Sequence, residues 1–468
     1  MGRVGRARRR PHRRAPSGPL TPPEPRGRDL PAGFVYGAAT SAYQVEGGAA
    51  LDGRTPSIWD VFAAVPAQIA DGSSGAVAVD HYHRWADDMS LLTDLGATGY
   101  RMSLSWSRLQ PQGSGPANPA GVAFYDRLLD RLLGAGVAPF VSLHHRDMPL
   151  EVMERGGWLT RATSDAFTDY AALAAVAFGD RVAAWATIDE PLLETAYGYA
   201  IGIDAPGLAL LGGAFQATHH QLLAHGRAAV VLRSASTAPI GIVNRHTTVE
   251  PARPGAADRV AARFYDLYHN RQFADPILRG EYPAAILAMP GAGADVIQDG
   301  DLAVISAPLD FYGISYAHPT IVAAAPDNTA IPFSLEPGTG MPMSPAGWPI
   351  HPESLTRLLV EMNRRYPQLP PVYVTGSGGA FDDDPVADQA PDLDRIAYLD
   401  GHLAALASAI AAGCDIRGYF HWSLLDSWEW TEGFTRRFGL VRVDPGSLER
   451  TPRASFAHYR DLIASALC

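Results

Sequence analysis

Eight short apolar runs recur along the chain, and each is followed by a segment with apolar residues at helical spacing. The runs are 34–38, 100–104, 138–144, 183–188, 240–244, 311–316, 372–375 and 418–422. Strands that alternate with helices form parallel sheets whose strands are joined by helical crossovers. Eight such units predict an α/β protein with one closed (β/α)8 barrel, a TIM barrel, over residues 29–468.

Two further kinds of segment stand out between the runs. Four segments show clear helical periodicity, with a glycine at or just beyond the end of each: 80–95, 121–134, 164–179 and 393–413. Residues 318–349 are instead rich in Pro, Gly and Ala and carry little periodicity. Because a loop this long on a barrel is usually functional, we predict that it forms a wall or lid over the site.

The distribution of charge separates the first residues from the rest. Residues 1–30 hold nine Arg and two acidic residues, which leaves 29 basic and 47 acidic residues for the remainder. We predict a disordered basic extension at 1–28; a nucleic-acid arm is the alternative. An acidic body argues against nucleic-acid binding and favours a small neutral or cationic ligand. No apolar run is long enough to span a membrane, so no membrane partner is expected.

The cysteines and histidines indicate which cofactors and which cellular compartment the sequence favours. Two cysteines, Cys414 and Cys468, are too few for a disulfide framework, and a reducing, cytoplasmic location fits them. The pairs His144-His145 and His219-His220 lack the surrounding carboxylates of a recognised metal site. We therefore predict no metal and no other cofactor. The oligomeric state is left open.

Polar and aromatic residues cluster where the eight runs end, the face on which such barrels build their sites. The segments 34–47, 57–60, 100–108, 189–191, 422–430 and 437–440 carry these residues in a characteristic order, including Asp189-Glu190-Pro191 and Trp428-Glu429-Trp430. Together they resemble glycoside hydrolase family one, the β-glucosidase-like family of retaining barrel enzymes. The resemblance covers about residues 30–464.

The resemblance implies a role for each matching residue. Glu190 takes the position of the general acid/base at the end of the fourth strand. The positions that bind the hydroxyls of the sugar or shape its aromatic wall are Gln44, His145, Glu429, Trp430, Trp422 and Phe438. Carboxylates, amides and indoles suit a ligand that offers hydroxyl groups and apolar C–H faces. For Trp428 we predict ordinary core packing.

The departures from the family pattern concern the partner carboxylate of Glu190. A retaining glycosidase needs two carboxyl groups, and where the family has Thr-Glu-Asn-Gly this chain has Thr375-Gly376-Ser377-Gly378. The family has Asn before the acid/base, where this chain has Asp189. It has two tyrosines after the sixth strand, where this chain has Tyr316-Ala317. Where the family has His-Trp-Asp, residues 145–147 are His-Arg-Asp, so Arg146 replaces the tryptophan. We count Arg146 and Tyr316 among the substrate-binding residues.

Arg101 links these departures. The resemblance implies that its counterpart pairs with the nucleophile, so its charge needs another partner when position 376 is glycine. One hypothesis is that Asp189 pairs with Arg101 or shares a water with it. The other is that Arg101 and Arg146 bind a carboxylate of the substrate. The apolar pocket and Asp189 together lead us to expect a raised pKa for Glu190.

These observations favour a divergent β-glycosidase-like enzyme that acts on a glycoside or sugar-like metabolite, with a biosynthetic role as one version. In this hypothesis Glu190 and Asp189 act as acid and base, and no covalent glycosyl-enzyme intermediate forms. The alternative is a non-catalytic sugar-binding protein on the same scaffold. An ordinary retaining β-glucosidase and an engineered glycosynthase rank below both.

Overall fold

The computed structural model describes residues 30–328, 331–382 and 392–468. The predicted basic extension at 1–28 lies outside these residues. The strands are β1 (Val35–Ala39), β2 (Gly99–Ser103), β3 (Ala138–His144), β4 (Ala184–Asp189), β5 (Ile240–Arg245), β6 (Val249–Pro251), β7 (Phe311–Ser315), β8 (Thr320–Ala324), β9 (Phe333–Glu336), β10 (Val372–Ser377), β11 (Ile416–Trp422), β12 (Val441–Val443) and β13 (Arg450–Pro452).

Eight of these strands close into a barrel in the order β1-β2-β3-β4-β5-β7-β10-β11, with β11 returning to β1. Every neighbouring pair is parallel. At the closure, Ala39 at the end of β1 pairs with Arg101 of β2 and with Trp422 of β11. All eight predicted runs are barrel strands, so the predicted (β/α)8 fold is confirmed.

Small residues allow large ones to fill the inside of the barrel. The ring of Phe420 occupies the space that side chains at Gly37 and Gly99 would need. Phe140 packs against Phe420 with ring centroids 4.8 Å apart, and Phe311 is buried with them. The barrel is therefore a packed core, and open space lies beyond the strand ends.

The helices surround the barrel. They are α1 (Ala42–Val45), α2 (Ile58–Ala64), α3 (His81–Leu95), α4 (Trp106–Leu109), α5 (Pro119–Gly134), α6 (Leu150–Glu154), α7 (Arg161–Phe178), α8 (Pro191–Leu193), α9 (Phe215–Ala235), α10 (Ala256–Asp266), α11 (Gln272–Arg279), α12 (Ala284–Leu287), α13 (Asp301–Ile305), α14 (Pro352–Arg365), α15 (Leu393–Ala411) and α16 (Ala454–Leu467). The four predicted periodic segments correspond to α3, α5, α7 and α15.

Local sequence signals explain where such helices begin. In α5, Asn118 accepts a hydrogen bond from the backbone N–H of Ala120 at 3.3 Å, and Pro119 opens the helix, where its missing N–H costs nothing. In α2, Ser57 and Asp60 form a capping box. No helix in the described part of the chain is both long and apolar enough to cross a bilayer.

Two irregular features lie beyond the strand ends. The segment 318–349 contains β8 and β9, which form a small sheet with β6. The sequence suggested only a loop there because the strands are short and the residues between and after them are rich in Pro and Gly. The described ranges also contain two π-helical turns, Glu194–Ala200 after α8 and Leu267–Arg271 after α10. Turns of this kind are rare and often mark functional positions.

Candidate active site

The carboxyl ends of the barrel strands surround a cavity of about 400 Å³. Eleven of the twelve predicted site residues line it: Gln44, Arg101, His145, Arg146, Glu190, Tyr316, Gly376, Trp422, Glu429, Trp430 and Phe438. Asp189 is the exception, because its side chain is fully buried beneath the cavity. Residues far apart in sequence therefore meet as the resemblance implied. Three of them, Arg146, Glu190 and Trp430, adopt left-handed backbone conformations, with φ of 68°, 52° and 54°.

Left-handed backbone in non-glycine residues costs free energy and is concentrated at functional sites. For Glu190 this conformation follows the last residue of β4 directly, before Pro191 begins α8. Its carboxylate then faces three groups from other strands. Ser315 donates a hydrogen bond to it, Arg245 Nη1 donates at 3.1 Å, and His145 Nε2 lies 3.6 Å away.

The protonation of Glu190 differs from the sequence-based expectation. Burial acts to raise its pKa, but Arg245, His145 and Ser315 outweigh burial and hold the pKa well below its usual range. The expectation of a raised pKa was wrong because it took no account of a cation at the end of β5. Glu190 is therefore an ionised carboxylate at neutral pH.

Arg101 and Asp189 form a buried ion pair, as the first hypothesis predicted. The Ser142 hydroxyl donates to Asp189 Oδ2 at 2.9 Å, and Arg101 Nη1 donates to the carbonyl oxygen of Thr375 at 3.2 Å. Burial lowers the pKa of Arg101 to about 10, which keeps it charged at neutral pH. Asp189 is fully buried against Arg101 and is not among the residues that line the cavity, so its predicted role as base is not supported.

The alternative role for the two arginines finds no support either. Arg146 pairs with Asp204, and its guanidinium carbon lies 4.4 Å from the ring centroid of Trp430. With Arg101 paired to Asp189, both guanidinium groups already have protein carboxylates as partners. A carboxylate on the substrate would have to displace one of these buried partners.

Position 376 leaves open space beside Arg101. Gly376 lies on β10 opposite Ser315 of β7. A Cβ atom built at this position would lie 3.4 Å from Arg101 Nη1 and 3.5 Å from Ser315 Oγ, which is ordinary van der Waals contact. The backbone there has no positive φ. A Cβ atom could therefore be added at this position without displacing backbone atoms.

The groups on the other side of the cavity are buried but incompletely hydrogen-bonded. Gln44 accepts a hydrogen bond from Ser41 at 2.7 Å, and its amide helps to lower the pKa of Glu429, yet its Nε2 makes no hydrogen bond within ordinary geometry to the described residues. His145 Nδ1 also has none, and burial lowers the pKa of His145 to about 4, so the ring is neutral. Burial raises the pKa of Glu429 to about 7, although Ser427 donates to it at 2.7 Å. Buried polar atoms need partners, and sugar hydroxyls can supply them.

Aromatic rings form the walls of this cavity. The ring centroid of His145 lies 6.2 Å from that of Trp422 and 5.6 Å from that of Trp430. Trp348, from the segment predicted to form a wall, lines the cavity and packs on Phe438 with centroids 5.6 Å apart. Apolar faces of this kind suit the C–H faces of a pyranose ring. The predicted wall is thus confirmed.

Two further aromatic residues, Trp428 and Tyr316, have hydrogen-bonding groups that face other residues of the protein. Trp428 is fully buried and donates its Nε1–H to Ser73 Oγ at 3.0 Å, so the predicted core role is confirmed. Tyr316 lines the cavity, but its hydroxyl lies 3.5 Å from the carbonyl oxygen of His351.

Sequence reasoning missed Arg245, the cation that most affects Glu190. Arg245 directly follows the predicted run 240–244 and is the last residue of β5. A strand boundary drawn one residue later would have placed it on the functional face. Within the described ranges, no three His, Cys, Asp or Glu side chains group in a way that could hold a metal ion. His144 instead lies 2.9 Å from Glu194, and His219 3.0 Å from Asp301.

Known proteins resemble the chain over nearly its whole length. It is 42% identical to thermostable beta-glucosidase B of Thermobispora bispora, over 93% of this chain and 90% of that protein. It is 37% identical to beta-glucosidase A of Thermotoga maritima, over 93% and 98%. A solved structure of the family 1 b-glucosidase from Thermotoga maritima matches with a TM-score of 0.90 at 36% identity, covering 94% of this chain and 99% of that one.

These relatives correct the function predicted from the sequence. We expected acid/base chemistry on another metabolite, without a covalent intermediate, or sugar binding alone. Relatives that are 37% and 42% identical over 93% of the chain are named beta-glucosidases, which contradicts that expectation. The prediction gave too much weight to the residues around position 376 and too little to the rest of the cavity.

A model of the family described as Glycosyl hydrolase family 1 matches residues 27–467, which is nearly the whole chain. The match includes all eight barrel strands and every residue that lines the cavity. The chain belongs to glycosyl hydrolase family 1.

Proposed function

We propose that the chain hydrolyses β-glucosides, with the glucose ring held in the strand-end cavity and Glu190 beside the glycosidic oxygen. The observation that carries this proposal is that Glu190 shares one cavity with the incompletely partnered Gln44 and His145 and with the buried carboxyl group of Glu429. The names of the relatives support the same substrate class.

The binding groups divide the tasks that a glucose ring requires. Gln44 Nε2 can donate to a sugar hydroxyl, and Glu429 can accept hydrogen bonds from two adjacent hydroxyls once it is ionised. Neutral His145 can donate from one ring nitrogen and accept at the other. Trp422 and Trp430 provide apolar surface around them and exclude water.

Glu190 provides the proton chemistry. As an ionised carboxylate it can accept a proton from water, and it must take up a proton before it can donate one to a leaving group. Arg245 and Ser315 stabilise the ionised form. Arg245 is therefore placed to set the pH range in which Glu190 acts.

We further propose that Gly376 stands where the family resemblance places the nucleophilic carboxylate, and that this substitution limits the rate of hydrolysis. Support comes from the open space beside Arg101 and from Asp189, which supplies Arg101 with a carboxylate from β4. A glycosidase gains from having two carboxyl groups at the scissile bond. The proposed enzyme therefore acts on β-glucosides, but slowly.

The test is the release of the phenol from an aryl β-glucoside by the wild-type chain and by Glu190→Gln. We expect turnover by the wild type and a loss of about a hundredfold or more in kcat/KM for Glu190→Gln. Glu432→Gln is the matched control, because Glu432 is an exposed carboxylate at the rim of the same cavity. Equal rates for wild type and Glu190→Gln, or no turnover by a folded wild type, would contradict the proposal.

A further inference from the structure

A second cavity, of about 370 Å³, lies beside the sugar cavity on the same face of the barrel. Its walls come from the two π-helical turns, from α10 and α12, and from β9. Five Phe and Tyr rings line it: Tyr197, Phe264, Tyr265, Tyr268 and Phe333. Tyr265 and Phe333 pack edge to face with centroids 5.0 Å apart. Its size and apolar lining are those of a small-molecule site.

Large apolar side chains are exposed at this cavity. Ile201, Leu211 and Leu335 line it and are 38%, 46% and 53% exposed. A group of exposed apolar side chains around a concave surface marks an interaction site more often than single exposed residues do. The group lies at the mouth of a cavity, which favours a small molecule as the occupant.

The lining carries no formal charge. No Arg, Asp or Glu of the described residues contributes to it, and His269 is neutral because burial and nearby Arg245 lower its pKa well below the usual range. A charged ligand would lose its hydration without gaining a partner, at a considerable cost. The occupant must therefore be uncharged.

Two tyrosines supply polar groups. The hydroxyls of Tyr197 and Tyr268, one from each π-helical turn, make no hydrogen bond to another residue in the described part of the chain. Burial raises the pKa of Tyr268 to about 12, so its hydroxyl keeps its proton. A neutral phenol can donate to a carbonyl or accept from a hydroxyl.

Tyr197 also connects the two cavities, since it lines both. Its pKa is raised by burial and responds to Arg245 and Asp204, which belong to the sugar cavity. On its other side Tyr197 neighbours Tyr265 and Tyr268. A molecule in the apolar cavity is thus separated from the sugar cavity by one side chain.

We propose that the apolar cavity binds an uncharged hydrophobic molecule with one hydroxyl or carbonyl group, which pairs with the hydroxyls of Tyr197 and Tyr268. The molecule is either free or the aglycone end of a β-glucoside; the second case rests on the proposed function. The free molecule and the aglycone share the same chemistry, and a kinetic assay with two glucosides distinguishes them.

The first experiment measures binding of 2-naphthol to the full chain by equilibrium dialysis. Ala288 lines the cavity and is exposed, so Ala288→Trp can block the opening without disturbing the core. We expect this variant to weaken binding about tenfold or more. Ala404→Trp, an exposed position on α15 away from the cavity, is the matched control. No saturable binding, or equal binding by both variants, would overturn the proposal.

Tyr268→Phe tests the polar contact with little change in shape. Losing one hydrogen bond should weaken binding of 2-naphthol roughly three- to tenfold. Binding of naphthalene, which has no hydroxyl, should stay the same. An equal loss for both probes would overturn the proposed pairing with the tyrosine.

The two sources differ in a second assay, with 2-naphthyl and methyl β-glucosides as substrates. If the cavity takes the aglycone, Ala288→Trp raises KM for the naphthyl glucoside alone. If it takes a free molecule, 2-naphthol still binds when the naphthyl glucoside is saturating. When 2-naphthol binds as expected but neither glucoside is cleaved by wild type, the proposed function fails and the cavity proposal stands.

Discussion

Two sets of residues around the sugar cavity differ in how their buried polar groups are paired. In the set that follows β1 and β3, Gln44 Nε2 and His145 Nδ1 are buried and make no hydrogen bond within ordinary geometry to the described residues. In the set on β2 and β4, Asp189 neutralises the charge of Arg101. The first set is ready to receive a ligand, whereas the second is paired within the protein. Neighbouring strands of one barrel can therefore supply both ligand-ready and internally paired residues to the same cavity.

The largest expected effect comes from placing a carboxylate at position 376, beside the internally paired Arg101. The double variant Asp189→Asn/Gly376→Glu places a carboxylate beside Arg101 and removes the one that now neutralises it. We expect kcat for an aryl β-glucoside to rise about a thousandfold or more, because residues that act together in catalysis depend strongly on one another. Steady-state kinetics measures it. Unchanged kcat in a folded double variant would show that the residues at positions 189 and 376 do not limit the rate.

The next prediction concerns stability. Asp189→Asn alone leaves a buried Arg101 without its charged partner, and we expect the free energy of unfolding to fall by about 3 kcal/mol. Chemical denaturation measures this loss. The double variant should recover most of it, because Glu at position 376 can then face Arg101. If the double variant is as unstable as Asp189→Asn, the compensation proposed between positions 189 and 376 is wrong.

The third prediction is a pH dependence of substrate binding that arises from Glu429. Burial raises its pKa to about 7, so it loses its proton as pH rises from 6 to 8 and becomes a stronger hydrogen-bond acceptor. We expect KM for an aryl β-glucoside to fall several-fold over this range, which corresponds to about 1 kcal/mol of binding. In Glu429→Gln the dependence should disappear. A KM that varies equally in both proteins would assign the titration to another group.

The smallest expected effect is a shift of the pH profile through Arg245. Removing this cation in Arg245→Gln raises the pKa of Glu190, so Glu190 keeps its proton to higher pH. The limb of the kcat profile that follows loss of this proton in the enzyme–substrate complex should therefore move up by about one pH unit. Arg436→Gln serves as control, since Arg436 lines the same cavity but pairs with Glu432. Equal shifts in both variants would mean that only the overall charge matters.

The parts of the molecule that could be predicted follow local patterns. All eight barrel strands are apolar runs, and their ends carry the residues that line the sugar cavity. The pairing of Arg101 with Asp189 also followed from the need to balance a buried charge. The spacing of apolar residues along strands and helices can be recognised in the sequence, and so can the need to balance a buried charge. Both act over short distances.

What could not be predicted depends on three-dimensional packing. The pKa of Glu190 is set by Arg245, which is 55 residues away in sequence and meets it only when β4 and β5 pair. The apolar cavity is likewise formed by segments from Leu192 to Leu335. None of those segments has a pattern that distinguishes cavity wall from core, because apolar residues serve in both.

The Arg101–Asp189 pair also has a consequence for how these positions can change. Glu at position 376 beside an unchanged Asp189 would place two carboxylates against one guanidinium, and their repulsion would keep one protonated. Asn at position 189 beside an unchanged Gly376 would leave Arg101 without its charged partner. Each single change is therefore disfavoured, and the two positions are expected to change together.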